Sequence, residues 1–398
     1  MQISDLRIAL FSGNYNYTRD GANQALNRLV GSLLAKSAKV RVYSPKVANP
    51  DFEATGDLVG LPNVPMPVKG RGEYRLPTGL GAAVKRDLEA FQPNIVHVSS
   101  PDPSGHAALR WAQDHNIPVL ASVHTRFETY PRYYNMAFLE PLIIRLLRRF
   151  YTRCDALVAP SQSMIDELLA MEMHADIGLW SRGVDRTIFS SARRDPEWRR
   201  SLGLAETDVA ILFLGRLVME KGLDVFAETI VQLRARGVPN KVLVIGDGPA
   251  RGWFGANLPG AIFAGFKTGE ALGQALASGD IFFNPSVTET FGNVTLEAMA
   301  SGLPVVAAGA TGSASLVAEG VTGRLVVPTS KEADAIAFAE ALAPYCVDPA
   351  LRAAHGAAGE TRACEYSWEA INAVVADTYV RLVDARRSAR SADAARAA

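Results

Sequence analysis

A chain of 398 residues exceeds one ordinary hydrophobic core and suits two domains. Lys plus Arg and Asp plus Glu both number 41, and 48% of the residues are hydrophobic, so the chain reads as a globular protein of zero formal net charge with no bulk basis for binding nucleic acid. Cys154, Cys346 and Cys364 are scattered and odd in number, which fits a reducing compartment, no disulfide frame and no metal-ligand spacing.

The opening Met1–Gly13 lacks a basic region followed by an apolar run and reads as a first strand. No uncharged apolar run approaches the ~18 residues of a spanning helix. A cytoplasmic location is therefore expected. Short apolar runs follow one another along the chain, at Arg7–Ser12, Lys39–Tyr43, Ile95–Val98, Val119–Val123 and Ala156–Pro160. After Arg182–Asp185 a second set begins, at Val209–Leu214, Lys241–Ile245, Ala261–Ala264, Ile281–Asn284 and Val305–Ala308. Helical patterns separate them. Continuous apolar strands between amphipathic helices predict buried parallel sheets, and two sets predict two doubly wound α/β domains with ligand sites beyond the carboxyl ends of the strands. The expected divisions are 1–185, 186–365, a terminal helix over 366–385 and a disordered tail over 386–398, where Ala, Arg and Ser leave little to bury.

Within the first domain, Ala22, Ala25, Leu26, Leu29, Val30, Leu33 and Leu34 share one face of a helix that starts near Asp20-Gly21. His124 follows the strand Val119–Val123; it is either a satisfied structural histidine or a site residue. The aromatic run Phe127, Tyr130, Tyr133 and Tyr134 either flanks an acceptor or packs its own loop. Leu139–Cys154 is strongly amphipathic, with Ile143, Leu146, Leu147, Phe150 and Cys154 on one face and Arg145, Arg148, Arg149 and Arg153 on the other. Such a helix either covers the sheet or lies on an anionic bilayer.

Within the second domain, Gly215 lets the chain turn after a strand, and Arg216 and Lys221 leave that strand end together. Two cations there suit a diphosphate, although alone they also fit a solvated loop. Gly246-Asp247-Gly248-Pro249 imitates a dinucleotide fingerprint. Its third glycine, Gly252, comes one residue late, and Pro249 removes an amide, so the nicotinamide reading is weak. The most informative stretch is Glu289–Val306. Glu289 and Glu297 bracket a turn of Phe291, Gly292 and Asn293, after which a helix starts through Val294 and Thr295. Amides at a helix start favour an anion, so a phosphate with hydroxyls on either side, as in a sugar nucleotide, suits this segment. No Asp-x-Asp pair occurs, and the positive charge is already supplied by Arg216, Lys221 and the amides. No metal and no separate cofactor is therefore expected.

These motifs closely resemble the family 4 retaining glycosyltransferases. Glu289 and Glu297 match the family's double glutamate, including the run through Val306. Gly215 to Gly222 matches its Gly-Arg-x-x-x-x-Lys-Gly, and Gly183-Val-Asp185 and Trp368 match its crossover and its returning helix. The resemblance implies a GT-B fold, with two Rossmann-like domains facing across a cleft, the donor held by the second and the acceptor by the first. It implies that Arg216 and Lys221 hold the donor pyrophosphate, that Glu289 and the Phe291–Gly292 amides hold the sugar, and that Glu297 meets the ribose. It also implies that Gly246, Gly248, Phe266 and Lys267 lie by the nucleotide and that His124 approaches the sugar. Around the opening turn and the post-His124 loop it points to Asn16, Gly21, Arg126 and Tyr130 for the acceptor. Arg19-Asp20 stands where the family often has glycines, which leaves the acceptor open. The likeness leans toward bacterial mannosyl-, glucuronosyl- and sulfoquinovosyl-type enzymes, several acting on lipids. The expected partners are a UDP- or GDP-sugar, a lipid-linked acceptor and an anionic membrane surface. A GT-B epimerase and an inactive binding module remain the alternatives.

Overall fold

The computed structural model describes residues 1–18, 20–66, 74–129 and 136–397. They form two compact units, one from Met1–Ser181 with Trp368–Ala398 and one from Arg182–Ser367.

The described residues of unit 1 carry nine strands: β1 (Arg7–Phe11), β2 (Lys39–Ser44), β3 (Asp57–Gly60), β4 (Asn63–Pro65), β5 (Arg75–Pro77), β6 (Ile95–Val98), β7 (Val119–Ser122), β8 (Ala156–Ala159) and β9 (Ile177–Leu179). Seven of them form a parallel sheet in the order β3-β2-β1-β6-β7-β8-β9, while β4 and β5 pair antiparallel on their own. Strands β6, β7 and β8 are buried throughout, which is why they read as unbroken apolar runs. The edge strands β3 and β9 are half exposed and only four and three residues long, and the apolar pattern does not reveal them. Helix Gly21–Ala35 starts where expected, because the Asp20 carboxylate accepts from the Asn23 amide. It buries Ala25, Leu26, Leu29, Val30 and Leu33, but leaves Leu34 exposed.

The terminal helix Trp368–Ala397 belongs to unit 1. Val375, Ala376, Tyr379 and Val383 are buried, and Arg381 pairs with Asp176 at 2.9 Å. The tail from 386, expected to be disordered, continues this helix. Ala and Arg are strong helix formers, and side-chain contacts hold the segment down. Arg386 pairs with Asp155 and donates to Asn116 Oδ1 at 2.7 Å, and Arg390 donates to the carbonyl of His115 at 3.2 Å.

Unit 2 holds β10 (Ala210–Leu214), β11 (Lys241–Ile245), β12 (Ile262–Gly265), β13 (Ile281–Asn284), β14 (Val305–Ala308) and β15 (Gly323–Val326). They form one parallel sheet in the order β12-β11-β10-β13-β14-β15. Phe213, Phe226, Phe254, Phe283 and Phe338 pack ring against ring inside it, mostly edge-on, with Phe226 and Phe283 stacked. The unit begins at Arg182 and ends at Ser367, slightly wider than 186–365, and Val184 N donates to Tyr366 O at 3.0 Å beside both ends. In this sheet the order reverses between β10 and its neighbours β11 and β13, so the loops leaving their carboxyl ends surround a switch point.

Candidate functional site

The three loops after β10, β11 and β12 are bonded to one another. Gly215 N donates to Ile245 O at 3.1 Å, Leu217 N to Asp247 O at 2.9 Å, and Gly246 N to Gly265 O at 3.0 Å. A Cβ on Gly246 would stand 2.0 Å from the Gly215 carbonyl oxygen, and one on Gly248 2.5 Å from that of Leu217. Only glycine fits either place. The Gly-x-Gly that imitates a dinucleotide fingerprint is therefore a backbone-to-backbone fit between two loops. Arg216 is exposed just after Gly215. Phe266, 70% exposed, follows β12, and Lys267 Nζ stands 5.7 Å from the centre of the Trp198 ring.

Lys221 ends a short 3-10 turn, Met219–Lys221, closed by Gly222 at φ 72°. From there its Nζ donates to Glu289 Oε1 at 2.6 Å. The Glu289 loop is fixed from two sides. Thr288 Oγ1 donates to Glu220 O at 3.3 Å, and a Cβ on Gly312 would lie 2.8 Å from Glu289 O and 2.7 Å from the Phe291 carbonyl carbon. Phe291 is buried and meets Tyr366 edge-on. Gly292, at φ 91°, starts helix Asn293–Ala300 without a side chain to cap it. The first-turn amides of Asn293, Val294 and Thr295 are thus left for an anion. Thr295 is buried against Asn284, and Asn293 Oδ1 is buried with no hydrogen-bond partner among the described residues. One turn further, Glu297 keeps some surface exposure, but burial of its surroundings pushes its pKa up to about 8.

In unit 1, His124 follows β7. Its Nε2 is 2.8 Å from Ser122 Oγ, and its ring meets Trp180 edge-on at 5.4 Å.

Residues 208–345 match the model of the glycosyl transferases group 1, and residues 19–187 that of Glycosyltransferase Family 4. A GDP-mannose-dependent alpha-mannosyltransferase of Mycolicibacterium smegmatis is 30% identical over 328 residues, which cover 81% of this chain and 84% of that protein. The chain belongs to glycosyltransferase family 4. A second GDP-mannose-dependent alpha-mannosyltransferase, from Corynebacterium glutamicum, is 29% identical over 93% of this chain and 87% of its own length. The sulfoquinovosyl transferase SQD2 of Arabidopsis thaliana is 34% identical over 69% of this chain, which spans 54% of that protein. Among solved structures, sucrose-phosphate synthase from Thermosynechococcus elongatus superposes with a TM-score of 0.73 at 22% identity, over 95% of this chain and 99% of that one. The fold is GT-B.

The remaining residues that the family likeness pointed to are placed unevenly. Asn16 is buried, and its Nδ2 donates to Phe52 O at 3.0 Å, so it holds a loop. Gly21 opens its helix beneath the Asp20 carboxylate, which already supplies negative charge to those amides. Arg126 is committed to Glu128 at 2.7 Å and Glu167 at 3.2 Å. Tyr130, Tyr133 and Tyr134 lie outside the described residues.

Helix Glu140–Tyr151 corrects the expected division of faces. Leu147, Phe150 and Tyr151 are buried, but Leu146 is 56% and Leu142 53% exposed. At 3.6 residues per turn they fall beside Arg145 and Arg149, and Phe138, 77% exposed, extends the same side. Arg148 and Arg153 point to protein partners instead. Arg148 donates to Met171 O at 3.0 Å, and Arg153 donates to Gln113 Oε1 at 2.5 Å. The four-arginine stripe is in fact two arginines set among three exposed apolar side chains.

Proposed function

We propose that this family 4 glycosyltransferase moves a hexosyl group from a nucleoside-diphosphate sugar to a lipid-linked acceptor, with retention of configuration and without a metal ion. The Lys221–Glu289 contact beside the uncapped helix at Gly292 carries the reading. It sets a cation, a carboxylate and free amides around one spot, as a diphosphate joined to a sugar requires. Arg216 and Lys221 stabilise the charge that grows on the leaving diphosphate, commonly the largest electrostatic contribution in such a step. Glu289 and the amides near Phe291 and Gly292 hold the sugar, and Glu297 accepts from the ribose. Gly246, Gly248, Phe266 and Lys267 border the base, and His124 is assigned to the sugar. In the retaining reading an oxygen of the leaving phosphate takes the acceptor proton on the same face, so no side chain is assigned as base. The similarity to GDP-mannose-dependent enzymes makes a GDP-sugar the first donor to try.

The lipid part of the reading rests on the exposed Phe138, Leu142 and Leu146 beside Arg145 and Arg149, a pattern that suits an anionic leaflet on the cytoplasmic side. No helix of the described residues is long and apolar enough to cross a membrane. Relatives named as alpha-monoglucosyldiacylglycerol synthases are consistent with a lipid acceptor.

The test is a thermal-shift screen of GDP- and UDP-sugars, since a ligand of the native state raises apparent stability. Turnover of the best donor with membrane lipids in excess EDTA follows, with the product's anomeric configuration read by NMR. An inverted product, or activity that needs added Mg²⁺ or Mn²⁺, overturns the mechanism. Conversion of donor without any acceptor overturns transfer in favour of epimerisation.

A further inference from the structure

Four side chains of unit 1 form one continuous hydrogen-bonded chain. The Tyr379 hydroxyl is 2.5 Å from His97 Nδ1, His97 Nε2 is 2.8 Å from Ser122 Oγ, and Ser122 Oγ is 2.8 Å from His124 Nε2. Tyr379 comes from the terminal helix, His97 from β6 and Ser122 from β7. Tyr379 and His97 are fully buried, Ser122 is 2% exposed, and Trp180 meets both imidazoles edge-on.

The count of protons gives this chain a direction. Burial raises the Tyr379 pKa, so its hydroxyl keeps its hydrogen. Among the described residues His97 is the only group recorded within hydrogen-bond distance of that hydroxyl. A buried O–H without an acceptor is costly, so Tyr379 donates to Nδ1 of His97. Burial lowers the His97 pKa to about 3, so the ring is neutral and its single proton sits on Nε2, donated to Ser122 Oγ. Ser122 accepts there, and its own hydrogen is left for His124 Nε2. His124 must then carry its ring proton on Nδ1. Running the chain the other way strands the phenolic hydrogen in the interior.

We propose that Tyr379, His97 and Ser122 are positioning residues that hold His124 with its ring proton on Nδ1, making that edge a hydrogen-bond donor to an oxygen of the transferred sugar. The donor role rests on the reading of His124 as a sugar contact; the tautomer does not. It ties the reactive side of unit 1 to the last helix of the chain.

The experiment is long-range proton–nitrogen NMR of the imidazoles in the full-length, ligand-free protein, where protonated and unprotonated ring nitrogens differ widely in shift. The expected wild-type pattern is a protonated Nδ1 and an unprotonated Nε2 in His124. Tyr379→Phe and Ser122→Ala should each give a mixture of tautomers, and Ser122→Thr should restore the single form. A wild-type His124 protonated on Nε2 overturns the relay even if every variant misfolds. An unchanged pattern in both Tyr379→Phe and Ser122→Ala overturns it as well. With turnover as readout, Tyr379→Phe should lower kcat about tenfold with donor KM kept, the loss of one hydrogen bond made in the transition state. Full turnover in His124→Ala would instead sink the sugar-contact reading and leave the tautomer result standing.

Discussion

The Nζ of Lys221 lies 2.6 Å from Oε1 of Glu289, across 68 residues of sequence. One residue comes from the turn after β10, the other from the loop after β13, and both keep access to solvent at 29% and 18%. An ammonium has three donors, so this contact alone does not exhaust it, and under the proposed function Lys221 also meets a donor phosphate. The carboxylate keeps a second oxygen for a sugar hydroxyl. Holding each other in place before the substrate arrives lowers the ordering cost of binding.

From this contact the two residues should act as a unit. Lys221→Ala and Glu289→Ala are each expected to reduce kcat by about 10²–10³, as for loss of one preorganised charged group. The double variant should be little worse than the more damaged single one, because coupled residues do not add. Arg216→Ala, on a separate side chain, should add its own loss. Steady-state kinetics with far-UV circular dichroism as a folding control decides it; strictly additive losses for Lys221 and Glu289 would refute the coupling.

Glu297 provides a pH signature. Burial raises its pKa from the ordinary glutamate range to about 8, so the folded state disfavours the ionised form. The sign follows: its stabilising contribution is complete below the unfolded value, declines above it, and is lost as pH passes through about 8. Glu297→Gln should therefore narrow the fall in Tm on the alkaline side. Ribose hydroxyls donating to Glu297 favour the carboxylate, so donor binding near pH 7 should release a fraction of a proton. Calorimetry in buffers of different ionisation enthalpy measures it, and the same heat in every buffer would contradict it.

Backbone contact sets a contrast between two glycines. Gly246, at φ 136° and 2.0 Å from the Gly215 oxygen at its added Cβ, should lose stability when changed to Ala by about 1–3 kcal/mol or more. Gly252 has nothing within 4 Å and sits in helix Arg251–Asn257, so Gly252→Ala should be neutral or stabilising by about 0.5–1 kcal/mol. Urea unfolding of the two variants compares them directly.

Adsorption to lipid should distinguish the arginines of helix Glu140–Tyr151. Replacing Arg145 and Arg149 with Gln should weaken binding to anionic vesicles by about 2 kcal/mol, roughly 30-fold. Replacing Arg148 and Arg153, which are engaged with Met171 and Gln113, should matter less. Binding should fall as salt rises, because screening shortens the reach of the field. Co-sedimentation with anionic and neutral vesicles is the measurement. Equal loss in the two pairs would mean that the exposed side of this helix does not set the contact.

The sheets were legible because their central strands are buried on both faces, and such strands can be written only in Val, Ile, Leu, Phe and Ala. β3 and β15 escaped notice because edge strands mix polar with apolar residues, and β9, Ile-Gly-Leu, because three residues are too short a run to stand out. The turn glycines Gly215, Gly246 and Gly248 were legible because turns at strand ends demand particular residues. That Lys221 and Glu289 touch was not, since they are brought together only by the sheet order. The relay behind His124 was equally hidden. Tyr379 and His97 sit 282 positions apart, and in sequence both look like ordinary core aromatics. Periodicity assigned Leu146 to the inner face because its angle lies near the boundary, and only packing decides such positions.

The pairing of Val184 with Tyr366, 3.0 Å between amide and carbonyl, has a consequence for how the polypeptide is made. Unit 2 enters and leaves at neighbouring points, so it is an insertion whose sequence is finished while unit 1 still lacks its last 30-residue helix. During synthesis from the amino end, unit 2 can close its sheet before unit 1 is complete. His124 then acquires the far end of its hydrogen-bond chain only when Tyr379 has emerged. A nascent chain that has emerged only as far as Ser367 would carry the whole of unit 2 and a unit 1 that still lacks Tyr379.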